Sequence, residues 1–358
     1  MDHVIGPESF APLSGWILLV IVAGSILFLV KAADLLVDGA SGLAYRIGMP
    51  KVIVGATIVS LGTTSPECAV SVMAAWSGNS GLALGNAVGS VIADTALIFG
   101  LGCLFRRLAA DRFVLNRQGW VQFSVASLLA VICYGTWLIK GQDSALSRSV
   151  GLLLLLLLVV YMAVSVKWAR RHPTREPVPE LIAGAAPGLP EPIGNSRQED
   201  VASLVARIVL GLAVVIGASH LLILAVSELA IRWGVPQVVI AATLVAIGTS
   251  TPELVIGLVS VFKGYDELLI GNVIGADILN VLFVIGASAA ASPLPIVDQQ
   301  ARVPAIFLLV HLPVMLLVLG VFRLYIFKAA RSGRFSRWMG VPMLVIYSLY
   351  TVVQYAVS

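Results

Sequence analysis

The chain has 358 residues, 59% of them hydrophobic and only 12% charged, with a mean hydropathy of +0.98. Soluble proteins carry about 25% charged residues, so a soluble fold, disorder, a collagen-like fibre and a nucleic-acid-binding protein are excluded as global readings. The net charge of +4 must then be explained by where it sits.

Residues 1–13 are polar and acidic without Lys or Arg, which is not the n-region of a signal peptide. A spanning helix needs about 20 mostly apolar residues. Ten segments qualify: 14–36, 50–76, 81–104, 119–139, 147–168, 204–228, 236–262, 268–291, 303–326 and 338–357. Cys68, Cys103 and Cys133 lie within such stretches at neither metal-ligand nor disulfide spacing and read as small core residues. Between the fifth and sixth segments, six prolines fall within 173–192 without an apolar period, which predicts an irregular tether. The expected class is an all-α polytopic membrane protein. Its expected units are a five-helix repeat over 14–168, a Pro-rich cytoplasmic linker over 169–203 and a second five-helix repeat over 204–357.

With the N-terminus outside, eighteen of the 23 Lys and Arg fall on the inner side and four (Lys140, Arg148, Arg232 and Arg302) on the outer, Lys31 lying within the first span. Cytoplasmic loops concentrate Lys and Arg, so both termini are expected outside the cytoplasm and the linker within it. The positive charge is a topology signal and calls for no anionic partner. The plasma (inner) membrane is the expected location.

The second half repeats the first at an offset of 186 residues. Ala32 recurs as Ala218, Arg46 as Arg232, Pro50 as Pro236, Thr57 as Thr243, Gly62 as Gly248, Glu67 as Glu253, Asn86 as Asn272 and Gly100 as Gly286. Five spans is an odd number, so the second copy is expected to enter the membrane inverted. Inverted repeats of this kind belong to secondary transporters, whose sites lie near the midplane where the copies meet.

The second span of each repeat carries Gly-Thr-Thr-Ser-Pro-Glu (62–67) or Gly-Thr-Ser-Thr-Pro-Glu (248–253). Proline inside a helix removes a hydrogen bond and frees carbonyls one turn back. Three hydroxyl residues then stand beside loosened carbonyls and a carboxylate, which is the oxygen-rich setting hard cations such as Na⁺ and Ca²⁺ require. A lone Ser or Thr would only bond back to its own helix. Glu67 and Glu253 are different, because an ionisable side chain at mid-span is costly and functional by default. The third spans read Gly-Asn-Ala-Val-Gly-Ser-Val-Ile-Ala-Asp (85–94) and Gly-Asn-Val-Ile-Gly-Ala-Asp-Ile-Leu-Asn (271–280). Asn86, Ser90 and Asp94 share one helical face, as do Asn272, Ala276 and Asn280. The Gly pairs 85/89 and 271/275 allow close helix approach. Lys31, Asp34 and Asp38 are spaced to pair along the first span, and Glu228 is spaced to pair with Arg232. His220 and His311, each lone in a span, are not expected to be ligands.

These four motifs resemble the two alpha-repeats of the cation/calcium antiporter superfamily, specifically its prokaryotic sodium/calcium exchanger branch. The resemblance implies a central cluster of ion sites, one favouring Ca²⁺ and the others Na⁺ or water. By motif position, Glu67 and Glu253 would be shared carboxylates, with Thr63, Thr64, Thr249 and Ser250 supplying hydroxyl or carbonyl ligands. The carbonyls of Ser60 and Ala246 would complete sodium positions. The chain departs from that pattern in its third spans. Asp94 and Asn280 exchange the family's usual Asn and Asp, Ser90 has Ala276 as its counterpart, and Asp277 stands where Asn is common. These differences leave the coupling ion open between Na⁺, K⁺ and H⁺.

The function implied is antiport of Na⁺ against Ca²⁺ by alternating access, without enzymatic activity or a cofactor. The partners called for are small inorganic cations and the lipid bilayer, with no nucleic acid; no oligomeric state is fixed. The rivals are a proton-coupled or other-divalent antiporter of the same fold, a passive cation channel, and an intramembrane aspartyl protease. The protease reading fails on its motifs: Asp266 is expected in a loop, and Gly275-Ala276-Asp277 lacks the third-position glycine.

Overall fold

The computed structural model describes residues 10–109, 112–171, 200–233, 250–297 and 306–357. It is almost wholly helical, with one two-residue strand pair, Ala145–Leu146 (β1) antiparallel to Leu294–Pro295 (β2). The helices in chain order are α1 (Gly15–Ile47), α2 (Lys51–Thr63), α3 (Ser65–Trp76), α4 (Ser80–Phe105), α5 (Arg112–Lys140) and α6 (Arg148–Arg171). Then follow α7 (Val201–Arg232), α8 (Thr251–Phe262), α9 (Asp266–Ala291), α10 (Phe307–Ser332) and α11 (Gly340–Val357). Seven of them (α1, α4, α5, α6, α7, α9 and α10) are long and apolar enough to cross a membrane. The pair α2 and α3, bent by 44°, makes an eighth if it is one broken span.

The first and sixth spans are longer than hydropathy alone suggests. Ser14 caps α1 by accepting from Ile17 N–H, and Gly48 at φ 65° stops it 33 residues on. At 1.5 Å per residue such a helix reaches about 50 Å, beyond the ~30 Å hydrocarbon thickness. α1 and α7 pack side by side and antiparallel. A Cβ at Gly39 would lie 3.1 Å from the Leu204 carbonyl and from Arg207 Cβ, and one at Gly211 would lie 2.9 Å from the Ala32 carbonyl and Leu36 N. Leu18 and Ala225 share a cluster at the other end of the pair.

Local breaks recur 186 residues apart. α3 starts after Thr64 with Pro66 as its second residue, and α8 starts after Ser250 with Pro252 as its second. Gly78 (φ 78°) turns the chain from α3 into α4, and Gly264 (φ 79°) turns it from α8 into α9. α4 and α9 begin and end in register, and each widens into a π turn, Ala93–Ile98 in one and Asn280–Ile285 in the other. Of the apolar stretch of α9, 94% lies inside the protein, against 28% for α1, so α9 forms the centre and α1 a flank.

α2 and α9 cross with their backbones in contact. A Cβ on Gly271 would lie 2.2 Å from the Val52 carbonyl, and one on Gly275 would lie 2.4 Å from Ser60 Oγ and 2.5 Å from Ala56 Cα. The expected close approach at 271/275 is therefore realised, whereas Gly85 meets nothing within 4 Å and Gly89 only Tyr350 Oη at 3.8 Å.

The charges expected to pair along α1 do so elsewhere. Asp34 and Asp38 bind Lys263 Nζ at 3.3 and 2.8 Å, because the α8–α9 turn brings a cation to both carboxylates at once. Glu228 and Arg232 do pair, at 2.8 Å. Asp266 is not in a loop. It is the first residue of α9, where its carboxylate accepts Ala109 N–H at 3.2 Å and faces Arg106 Nε at 3.5 Å. A carboxylate there also meets the positive end of the helix dipole.

Candidate cation site

The break at Thr64 follows from its residues. Pro66 offers no N–H to the preceding turn, Gly62 resists helix weakly, and the π turn Gly55–Val59 has already loosened α2 one turn earlier. The chain resumes as α3 with Glu67 in its first turn, and α8 presents Glu253 in the same way. Both are buried, at 1% and 2% exposure, as are Asp94, Asp277 and Asn280 from the two π-turn helices.

These groups are short of hydrogen-bond donors. Glu67 Oε2, Glu253 Oε2, both oxygens of Asp94, Asp277 Oδ1, Asn280 Oδ1 and Thr64 Oγ1 are buried without a hydrogen-bond partner. Buried polar atoms in folded proteins are almost always paired, so this set of open oxygens marks a place where a cation could be bound. Glu67 lies within electrostatic reach of Glu253 and Asp94, and Asp94 within reach of Glu253 and Asp277, so acids from both halves of the chain face one another. Thr63 stands within hydrogen-bonding range of Glu253, and Ser90 within 3.5 Å of Ser250. Among the described residues, no three His, Cys, Asp or Glu side chains close on one point, so a cation here must draw hydroxyls and carbonyls as well.

Ser60 is held from the opposite half: its hydroxyl donates to the Gly55 carbonyl at 2.6 Å and lies 3.1 and 3.3 Å from the Asn272 carbonyl and Oδ1. The Ser60 carbonyl, which the resemblance names for a sodium position, is already engaged. It accepts Thr64 N–H at 2.8 Å and the Thr63 hydroxyl at 3.2 Å, so reaching an ion would require Thr63 to turn away. Asn86 donates to Ser71 Oγ at 3.0 Å and lies 3.5 Å from the Glu67 carbonyl. Thr249 and Ala246 lie outside the described residues.

The family model described as sodium/calcium exchanger protein matches residues 17–167 and 203–356, most of the chain, in two stretches. The chain belongs to the sodium/calcium exchanger family. It is accordingly a polytopic membrane antiporter of cations, not an enzyme. Similar proteins include the inner membrane protein YrbG of Escherichia coli, 35% identical over 75% of this chain and 78% of that one. The sodium/calcium exchanger MaX1 of Methanosarcina acetivorans is 28% identical over 92% of this chain and 95% of that one. Among solved structures, the sodium-calcium exchanger NCX_Mj soaked with 10 mM Na⁺ superposes with a TM-score of 0.74 at 23% identity, covering 94% of this chain and 98% of that one. At that identity the likeness speaks for the fold.

Some residues of this exchanger's polar centre were not legible from its motifs. Thr95, beside Asp94, and Gln122, from α5, both donate to Asp277 Oδ2. Tyr161 of α6 donates to the Ala56 carbonyl at 3.3 Å, and Gln118 to Ser165 Oγ at 3.3 Å. The available signal was the pair Gln118 and Gln122, one helical turn apart near the start of α5.

Proposed function

We propose that this protein exchanges Na⁺ for Ca²⁺ by alternating access at a midplane site shared by its two halves. The observation that carries this is the facing of Glu67 and Glu253, buried and each with an oxygen left open, at equivalent helix breaks. Two carboxylates with the hydroxyls of Thr63, Thr64, Thr249 and Ser250 suit one Ca²⁺, which takes six to eight oxygens. Ser60, Ala246, Ser90, Asp94, Asn280 and Asp277 extend the site toward the sodium positions. An empty site leaves acids uncompensated in low dielectric, which opposes the conformational switch. Only loaded forms then cross, and loading with Ca²⁺ excludes loading with Na⁺.

The architecture we propose is ten spans in two inverted five-helix repeats, over 14–168 and 204–357, joined by the linker 169–203. It is supported by the recurrence of helix starts and left-handed glycines at 186 residues, by a π turn in each third-span helix, and by the antiparallel packing of α1 on α7. The distribution of Lys and Arg supports both termini outside the cytoplasm, and YrbG's description as an inner membrane protein supports that location.

The test is ⁴⁵Ca²⁺ uptake into proteoliposomes. An outward Na⁺ gradient should drive it, and Glu67→Gln should abolish it. Uptake driven by a pH gradient alone would replace sodium with proton coupling, and uptake without any counter-gradient would mean a channel.

A further inference from the structure

Beside the paired glutamates, the third-span acids are held by two residues, Thr95 and Gln122, that no exchanger motif contains. Asp277 is 1% exposed, and its two oxygens are treated differently: Oδ2 accepts from Thr95 Oγ1 and from Gln122 Nε2, while Oδ1 has no partner. Gln122 and Thr95 are themselves buried, at 3% and 0% exposure, and Gln122 Nε2 lies 3.5 Å from Thr95 Oγ1, so the two donors brace each other. Both oxygens of neighbouring Asp94 are also open, and the two acids lie within electrostatic reach. Asn280, one turn beyond Asp277, leaves Oδ1 open as well.

We propose that Gln122 is a positioning residue for the monovalent-cation part of the site, where Asp94 and Asp277 adjoin the Glu67–Glu253 pair. Asp94, Asp277 and Asn280 leave four oxygens open, and with Ca²⁺ assigned above to the Glu67–Glu253 pair this place is left to the singly charged coupling ion. Pinning Oδ2 leaves Oδ1 as one fixed ligand, and a ligand held before binding loses less freedom when the ion arrives. The sequence gives a reason for the device. The serine counterpart in this half is Ala276, so one hydroxyl ligand is missing, and Asp277 stands beside it with a donor pair to hold it.

The inference rests on the exchange reading above, and one experiment separates the two. In proteoliposomes, Gln122→Met, nearly isosteric but without donors, should raise the half-saturating Na⁺ concentration about tenfold, or about 1.4 kcal/mol. Half-saturating Ca²⁺ should stay within twofold. Thr95→Val should shift Na⁺ in the same direction and serves if Gln122→Met fails to fold. In an Asp277→Asn background, Gln122→Met should add nothing further, since the carboxylate it holds is gone. Equal shifts for both ions, no shift, or full additivity with Asp277→Asn would overturn the proposal while leaving exchange intact. Wild-type protein without Na⁺-driven uptake would overturn the exchange reading and this subsite with it.

Discussion

The crossing of α2 on α9 can be tested by adding one methyl group, Gly275→Ala. The new Cβ would stand 2.4 Å from Ser60 Oγ and 2.5 Å from both Ala56 Cα and the Ala56 carbonyl. Ordinary contact begins near 3.4 Å, so the helices must part by about 1 Å, and two of the three obstructing atoms are backbone that cannot rotate aside. Overpacking of this kind costs about 1–3 kcal/mol. The Ser60 hydroxyl, which donates to the Gly55 carbonyl at 2.6 Å, is pushed off its place against Asn272 as well. At about 2 °C per kcal/mol for a large chain, this cost of about 1–3 kcal/mol lowers the melting temperature in detergent by about 2–6 °C. The functional effect is larger than the loss of stability suggests. α2 ends at Thr63, directly before the break, so its displacement carries Thr63 and Thr64 away from Glu253, and half-saturating Ca²⁺ should rise at least tenfold. Thermal unfolding followed by intrinsic fluorescence, and ⁴⁵Ca²⁺ uptake at graded Ca²⁺, measure the two. A Gly275→Ala protein with wild-type melting temperature and wild-type Ca²⁺ half-saturation would refute the backbone crossing as the element that sets the site.

Glu67→Gln removes one of two facing carboxylates, and losing a charged partner in a buried set costs about 3–5 kcal/mol. Half-saturating Ca²⁺ should therefore rise a hundredfold or more; uptake within threefold of wild type would contradict the assignment. Asp266→Asn acts on a buried carboxylate at the first residue of α9 that accepts Ala109 N–H. It should cost about 1–2 kcal/mol, seen as a melting temperature a few degrees lower, with Ca²⁺ half-saturation unchanged because the residue sits far along the helix from Asn280. Lys263→Met breaks the pairs to Asp34 and Asp38, whose side chains are 35% and 47% exposed. Such exposed pairs contribute at most about 1 kcal/mol each, so the melting temperature should fall by no more than about 4 °C, and less at 0.5 M salt. A larger drop would mean that this link, and not the α1–α7 packing, holds the flank in place.

How much of this could be read beforehand differs from motif to motif. The motif glutamates were legible because an acid at mid-span has few structural excuses, and the repeat doubled the signal. The helix breaks were legible because proline cannot donate a backbone hydrogen bond. What the sequence could not supply was partnership across helices. Asp34 is spaced to meet Lys31, yet a turn between two other helices delivers Lys263 to it and to Asp38 together. Asp266 stands after a glycine turn and reads as loop, yet the same turn makes it the helix start. Gln122 belongs to a span without motifs, and only packing reveals that it reaches Asp277. The ends of α1 and α7 were missed because hydropathy marks the hydrocarbon core and is silent on a helix that continues past it.

The third-span helices also carry an asymmetry with consequences for transport. Thr95 of α4 holds Asp277 of α9, but the reciprocal pair does not exist, since Val281 and Val91 occupy the counterpart positions 186 residues away. Where two inverted halves are equal, the inward and outward forms are mirror exchanges of the same contacts and have equal energy. Here one half contributes a pinned acid and the other a free one, Asp94, so exchanging their roles changes the energy of the loaded protein. On the proposed alternating-access cycle, a cation bound between them would be released more readily on one side of the membrane than on the other. Half-saturating Na⁺ measured at the two faces of uniformly oriented vesicles should differ accordingly. Gln122→Met, by freeing Asp277, should bring the two values closer together.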